Sequence, residues 1–246
     1  MQQWIPINKV VSFSYYEIYI TCLRAFSAMG FPYGADEDAA SMVTWLELNK
    51  LDGLKNLVKI SNKINNKFNG NFKNTNIEFS KKIDLNFDSL LMKGPGLFDY
   101  FFQKFRKRKY IKIILKNCID PIFILPLAVK IAKNGLYINY IWAQKNIIIE
   151  LSISKNYVVI NQKKDNLNIN ENEISVVMSK NPIKKNIKSK KNKVKIYIKD
   201  SQKRLEESIS PNKKDWKIIS NFAKLTFVPE SRLSRNKGAG GGDDND

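Results

Sequence analysis

The chain of 246 residues contains no histidine. A Ser-His-Asp or Cys-His catalytic arrangement therefore cannot be built within it, and a zinc site with imidazole ligands is excluded in the same way. The usual imidazole general base is also missing. If the chain is an enzyme, we expect its chemistry to rest on Asp, Lys, Arg or Tyr side chains.

Cysteine is scarce as well, since the chain has only Cys22 and Cys118. Two thiols cannot complete a zinc site alone. Cys22 falls in an apolar helical pattern and Cys118 ends an apolar strand-like run, so both are predicted to be buried thiols. No disulfide framework is indicated, which favours a reducing cytoplasm.

Long apolar runs are missing too. The most apolar segment, IDPIFILPLAVKIA, is short, contains Pro126 and carries Lys130, with Lys133 directly after it. This pattern predicts a buried helix and does not fit a membrane span. The first residues, MQQWIPINKVVSFSYYE, lack the basic and apolar regions of a signal peptide. We therefore expect a cytoplasmic location and no membrane partner.

The charge is strongly of one sign, with a formal net charge of +19 and a pI near 9.7. Such a balance is typical of proteins that bind nucleic acid or acidic membranes. Heavy joint use of Lys, Asn and Ile is also typical of an AT-rich coding sequence, so a functional and a genomic origin of the charge both stay open. The basic loop from Lys184 to Lys195 lacks interleaved aromatic residues, which disfavours nucleic-acid binding.

The first part of the sequence predicts helices. Ser14-Tyr15-Tyr16-Glu17 is a capping box that begins a helix ending near Met29. A second helix follows over residues 34–53, with early acidic residues that suit its positive end. A third runs from about Leu54 to Asn65. We predict an N-terminal helical unit over residues 1–66.

The remainder predicts an α+β core over residues 67–230. Its central sheet is expected to be mostly antiparallel with one buried helix, and a C-terminal helix precedes a flexible tail. The predicted elements are one irregular strand within residues 66–90, a turn at Gly94-Pro95-Gly96, a strand at Tyr110–Leu115, a helix at Pro121–Lys133, a meander of three strands over residues 136–162, strands at Ile174–Met178 and Val194–Ile198, and a last helix that begins at Ser210-Pro211.

Two acidic residues of this core are candidates for a pocket. Asp120 precedes Pro121 and the apolar helix, and Asp99 follows the Gly-Pro-Gly sequence. Either carboxylate can face a pocket beside the apolar helix. The structural alternative is that each serves as a helix cap.

The tail, SRLSRNKGAGGGDDND, spans residues 231–246. Its glycines do not fit a phosphate loop, since no strand precedes them and no Lys-Ser/Thr follows. Oxygen ligands for Mg²⁺ or Ca²⁺, a docking element and a solvated end remain as alternatives. As a docking element, the glycine hinge would carry an acidic tip into a basic cleft of this chain, a second copy or another subunit. The candidate tail residues are Ser234, Arg235, Gly238, Gly240, Asp244, Asn245 and Asp246.

Four motifs occur in the order found in an uncharacterised bacterial domain-of-unknown-function family: the helix pair SYYEIYITCLRAFSAMGFPYGADEDAASMVTWLELNKLDGL, GPGLFDYF, DPIFILPLAVKIAKNG and SRNKGAGGGDDND. The chain resembles that family, whose tail pattern maps onto Ser234-Arg235, residues 238–240 and residues 244–246. It departs from the pattern by about two extra residues before Ser234. The resemblance implies no reaction.

The helix pair, which ends in Leu51-Asp52-Gly53, also resembles the N-terminal helices of the malate/lactate dehydrogenase family that does not use a Rossmann fold. That family uses a histidine after this point. This chain has none, which is a departure from the family pattern and argues against the same hydride-transfer catalysis.

These observations favour an accessory or partner subunit of a cytoplasmic small-molecule enzyme, with a docking tail that binds a protein partner or a second copy. One alternative is a histidine-independent enzyme based on Asp, Lys or Arg, with Mg²⁺ as a candidate cofactor. The other alternative is a basic nucleic-acid-binding protein.

Overall fold

Three consecutive helices open the computed structural model, which describes residues 11–71, 82–164, 170–183 and 193–227. They are α1 (Tyr15–Ala28), α2 (Ala35–Leu48) and α3 (Gly53–Ile64). The capping box at the start of α1 is confirmed: the Glu17 amide donates to Ser14 Oγ at 3.2 Å, and the Ser14 amide donates to Glu17 Oε2 at 2.7 Å. The Ser14 amide and the Ser14 hydroxyl both donate to the Glu17 carboxylate, which lowers the pKa of Glu17.

The helical layer also includes the C-terminal helix α7 (Lys213–Lys224), which packs against α1 and α3. Ile219 and Ala223 of α7 are buried in the same core as Cys22 of α1. At the edge of this layer, the Phe13 ring lies 3.9 Å from the Trp216 ring, measured between centroids. The first and last helices of the described chain therefore share one packed layer.

The sheet has seven strands among the described residues, in the order β1-β2-β6-β3-β4-β5-β7. Every neighbouring pair is antiparallel except β1 with β2. The sequence-predicted meander corresponds to β3, β4 and β5. The strands are β1 (Lys82–Asp84), β2 (Tyr110–Lys116), β3 (Tyr137–Gln144), β4 (Ile147–Ile153), β5 (Tyr157–Lys164), β6 (Glu173–Ser179) and β7 (Lys193–Tyr197).

Helix α5 (Ile124–Ala132) lies between α2 and the sheet, and α4 (Leu90–Phe105) packs against both α5 and α2. A single 3-10 turn, Pro121–Phe123, precedes α5. Helix α5 is the buried apolar helix that the sequence predicts, and it contacts both α2 and the central strands β3 and β4.

The predicted turn at Gly94-Pro95-Gly96 is wrong, because these residues lie inside α4. Ser89 begins the helix five residues before Gly94 and accepts a hydrogen bond from the Leu91 amide at 3.0 Å. A Cβ on Gly94 would lie 2.7 Å from Leu127 Cδ1, so the glycine serves close helix packing. Pro95 lies beyond the first turn of α4, so the helix lacks the hydrogen bond that an N–H at this position would donate to the Leu91 carbonyl.

The predicted start of the last helix is also wrong. Helix α7 begins at Lys213, and its cap is Asn212, whose side chain accepts from the Lys214 amide at 2.9 Å. Pro211 therefore lies before the cap and outside the first turn. The short helix α6 (Ile198–Arg204) was not predicted.

The α+β class, with an N-terminal helical unit and a mostly antiparallel sheet, is confirmed. Cys22 is fully buried, which raises the pKa of its thiol to about 12, and Cys118 is half-buried. None of the helices in the described residues is both long and apolar enough to cross a membrane. The division into units at residues 1–66, 67–230 and 231–246 stays a prediction.

Candidate binding cleft at the junction of the second and third helices

A charged cleft of about 390 Å³ lies where α2 ends, between the turn into α3 and the segment from α6 to α7. A second hollow of about 290 Å³ shares Glu47, Asp52 and Asn212 with it, so the two adjoin. Charges of both signs line them in equal number. They are Glu47, Asp52, Glu207 and Asp215 on the acidic side, and Lys50, Lys55, Arg204 and Lys214 on the basic side.

Asn49 organises one wall of this cleft. Its side chain is 4% exposed, and its Nδ2 donates to the Trp45 carbonyl at 2.8 Å. Its Oδ1 accepts from Ser201 Oγ and from Arg204 Nη1, both at 2.8 Å. A guanidinium has five N–H donors, so a group held at Nη1 keeps donors for an anion. Asn49 therefore pre-orients Arg204 at the edge of the cleft.

Glu47 is the half-buried carboxylate of the cleft. Its Oε2 accepts from the Leu54 amide at 2.9 Å, which satisfies a free N–H at the start of α3. Burial raises the pKa of Glu47, and the nearby charges of Asp52 and Asp215 act in the same direction. A carboxyl with a raised pKa in a cleft is a candidate for proton transfer or ligand binding.

The turn between α2 and α3 has an unusual backbone. Lys50 and Asp52 both have positive φ, at 58° and 52°. Non-glycine residues adopt this region rarely and at a cost, so the surrounding contacts must hold the turn in place. The turn directs both charged side chains into the cleft lining.

Gly53 is required by the close approach of the two helices. A Cβ at this position would lie 2.1 Å from the Val43 carbonyl oxygen and 2.8 Å from the Glu47 amide nitrogen. Only glycine allows α3 to begin so close to α2. The short distance between the helices is what lets Glu47 reach the Leu54 amide.

The two predicted pocket residues lie apart in the structure. Asp120 is 5% exposed and accepts from Ser89 Oγ and, at 2.9 Å, from the Leu90 amide at the start of α4. Burial raises the pKa of Asp120 to about 7. Asp99 is exposed on α4, nine residues beyond Leu90 and so about 13 Å along the helix axis.

The predicted tail residues lie outside the described part of the chain. This applies to Ser234, Arg235, Gly238, Gly240, Asp244, Asn245 and Asp246, and to most of the basic loop that begins at Lys184. Within the described ranges, the structure shows no group of three or more Cys, Asp or Glu side chains placed to hold a metal ion.

Sequence reasoning missed Glu47, Asn49 and Arg204. Arg204 lies 155 residues from Asn49 in the chain, so no local pattern connects them. The signal for Glu47 was present but weak: an acidic residue stands seven positions before Leu54, with an intervening Asp-Gly turn. A turn of this kind returns the chain toward the helix that it has just left.

The fold is shared with solved dehydrogenase structures at low sequence identity. Malate dehydrogenase from Pyrococcus horikoshii OT3 aligns with a TM-score of 0.61 and 11% identity over 94% of this chain and 99% of that chain. A putative malate/lactate dehydrogenase from E. coli gives 0.59 and 8% over 92% and 98%. Malate dehydrogenase from Entamoeba histolytica gives 0.56 and 9% over 89% and 99%.

No curated protein matches this chain in sequence. Residues 13–84 match the family described as "Protein of unknown function (DUF3726)". This match ends before the tail, so the tail positions suggested by the resemblance stay a prediction. The match over the segment from α1 to β1 confirms the expected resemblance to a domain-of-unknown-function family. The fold of the chain is shared with the malate dehydrogenase structures.

Proposed function

We propose that this chain is an accessory or partner subunit of a small-molecule metabolic enzyme. The observation that carries the proposal is a fold shared with malate and lactate dehydrogenase structures on a chain without histidine. The dehydrogenase family that the helix pair resembles uses a histidine after the position of Leu51-Asp52-Gly53. Here α3 begins at Gly53, and Leu54 binds Glu47 through its amide. On this proposal, the shared fold serves to bind a partner enzyme.

The charged cleft supports a role in recognition. Together with the adjoining hollow, it presents four acidic and four basic side chains. Charge patterns of this kind favour one partner over others through complementary and repulsive contacts. Arg204 is already oriented by Asn49, so less side-chain entropy is lost when it binds an anionic group.

The tail is the second element of the proposal. The described chain ends at Phe227, whose ring lies 4.9 Å from Arg24 Cζ on α1. The last described residue therefore lies beside α1. We propose that Arg232 and Arg235 anchor the base of the tail, and that the acidic tip docks into a basic cleft of the partner enzyme.

The experiment is cross-linked capture from the source cells with three versions of the protein: full length, residues 1–230, and full length with Asp243, Asp244 and Asp246 changed to Asn. We expect one enzyme to be enriched with the full chain and lost with both variants, while the melting temperature shifts by less than about 2 °C. Equal enrichment with all three versions would contradict docking through the tail. Turnover of malate or lactate with a nicotinamide cofactor by the purified chain would contradict the accessory role.

A second candidate function is a histidine-independent enzyme that uses the same cleft. The half-buried Glu47, with its raised pKa, favours this alternative, because it lines the same cleft as the pre-oriented Arg204. In this case Arg204 binds an anionic substrate and Glu47 exchanges a proton with it. Native mass spectrometry tests this: a small anion retained by the full chain and lost in Arg204→Met supports catalysis, and a bare chain in both cases argues against it.

A further inference from the structure

A second pocket, distinct from the charged cleft, lies between α2 and α5 and has a volume of about 240 Å³. Helix α2 contributes Asp38, Met42 and Trp45, which lie on one helix face because they are four and three residues apart. Helix α5 contributes Leu127, Lys130 and Lys133. The pocket therefore combines an apolar wall, one carboxylate and two ammonium groups.

The carboxylates of Asp36 and Asp38 differ in their burial and hydrogen bonding, although the residues are only two positions apart. Asp36 is 6% exposed and accepts three hydrogen bonds, from Ser27 Oγ at 2.7 Å, from the Gly34 amide at 3.0 Å and from the Glu37 amide at 2.9 Å. Asp36 thus closes the link between α1 and α2. The half-buried Asp38 carboxylate accepts no hydrogen bond from the described residues. Its acceptor capacity remains open to a ligand.

The electrostatic surroundings of Asp38 come from several elements. Burial raises the pKa of Asp38, the Lys130 ammonium of α5 lowers it, and the Asp99 carboxylate of α4 raises it. Tyr15 of α1 also lines the pocket, and burial raises the pKa of its phenol. A cation bound at Asp38 would relieve both the burial cost and the repulsion from Asp99.

The other charged groups of the pocket have the opposite sign. Lys130 on α5 and Lys133 at the C-cap of that helix lie about one turn apart, and both are exposed. Met42, Trp45 and Leu127 supply apolar side chains to the same pocket lining. Aromatic and thioether groups offer a surface for a flat or branched apolar group.

We infer that this pocket binds a small zwitterion with an apolar body, which is the chemistry of a free hydrophobic or aromatic amino acid. The ligand ammonium donates to the open Asp38 carboxylate. The ligand carboxylate pairs with Lys133 or Lys130, and its apolar group lies against Trp45 and Met42. This inference is independent of the accessory role, since it concerns other residues.

The test uses three probes that differ by one charged group each: L-phenylalanine, phenethylamine without the carboxylate, and 3-phenylpropionate without the ammonium. Binding to the full chain is followed by the indole N–H signal of Trp45, assigned with Trp45→Phe. We expect saturable binding of L-phenylalanine below about 10 mM and weaker binding of both other probes.

Asp38→Asn is expected to weaken L-phenylalanine binding about tenfold or more, because a charge-assisted hydrogen bond is lost. Its matched control is Glu37→Gln, which removes an equal charge from the same helical turn outside the pocket lining and should leave the affinity within about twofold. The inference is overturned if no probe saturates the Trp45 signal. It is also overturned if 3-phenylpropionate binds as tightly as L-phenylalanine, or if both variants weaken binding equally.

Discussion

Two carboxylates of this protein each accept a hydrogen bond from a backbone amide at the start of a helix, but their surroundings differ. Asp120 accepts the Leu90 amide at the start of α4, and Glu47 accepts the Leu54 amide at the start of α3, each at 2.9 Å. Burial raises the pKa of both groups. Asp120 is closed off from solvent by Ser89 and Cys118, whereas Glu47 faces an open cleft beside Arg204.

The comparison shows that a raised pKa alone does not identify a carboxylate as a functional residue. The pKa of Asp120 is raised further, but this residue is only 5% exposed and its carboxylate accepts from Ser89, Leu90 and Cys118. Glu47 has access to a ligand and a cationic neighbour. Access and neighbouring charge therefore separate a structural helix cap from a candidate site.

The largest change in stability is expected from Gly53→Ala, which would also remove the cleft that distinguishes Glu47 from Asp120. The added Cβ meets the Val43 carbonyl at 2.1 Å, and this backbone contact cannot relax without moving α3 away from α2. We expect a loss of more than about 4 kcal/mol in the free energy of unfolding, together with loss of the cleft. Urea unfolding measures this. The control is Gly96→Ala, where a Cβ has nothing within 4 Å, and an equal loss there would contradict the close-approach explanation.

The next largest effect is expected at Asp120. Asp120→Leu leaves the Ser89 hydroxyl and the Leu90 amide without their acceptor, so we expect a loss of about 2–4 kcal/mol in the free energy of unfolding. Asp120→Asn keeps a carbonyl acceptor for the Leu90 amide and should lose less than about half as much. Chemical denaturation compares the two variants, and equal losses would show that charge, and not capping, holds α4.

The pH dependence of stability sharpens the same comparison. Because burial raises the pKa of Asp120 to about 7, well above its ordinary value, the folded state binds the proton more tightly than the unfolded state. This contribution is fully present below the unfolded pKa and is lost as the pH rises through about 7. We expect about 1 kcal/mol more stability from Asp120 at pH 6 than at pH 8. Denaturation of wild type and Asp120→Asn at both pH values checks this, since the difference should vanish in the variant.

The smallest change in stability is expected from Glu47→Gln. The amide oxygen of Gln still accepts from the Leu54 amide, so the free energy of unfolding should change by less than about 0.5 kcal/mol. Glu47→Ala removes the cap and should lose about 1 kcal/mol. If Glu47→Gln destabilises α3 as much as Glu47→Ala, then the charge of Glu47 is structural, and the contrast with Asp120 fails.

Much of the fold was accessible from the sequence because it rests on local patterns. The capping box joins Ser14 and Glu17, which are three positions apart, and the strands of the meander alternate or run apolar over short segments. The buried helix after Asp120 followed from composition. The Gly94-Pro95-Gly96 prediction failed because local turn chemistry was overridden by packing of α4 against Leu127.

The candidate sites were much less accessible. Asp120 was singled out from its position before Pro121, and the structure shows it buried. Glu47 and Arg204 carried no pattern that separates them from other surface charges. Asp38 belonged to an acidic cluster at the start of α2, where helix-dipole compensation accounted for all three residues equally well.

The sequence by itself determined the absence of imidazole chemistry, the α+β class and the start of the first helix, because composition, periodicity and capping act over a few residues. Only the tertiary structure decided which charges meet. Asn49 holds Arg204 across 155 residues, and the Lys130 charge acts on Asp38 because α5 packs on α2. Such contacts depend on how the layers pack, and packing is set by the whole core at once.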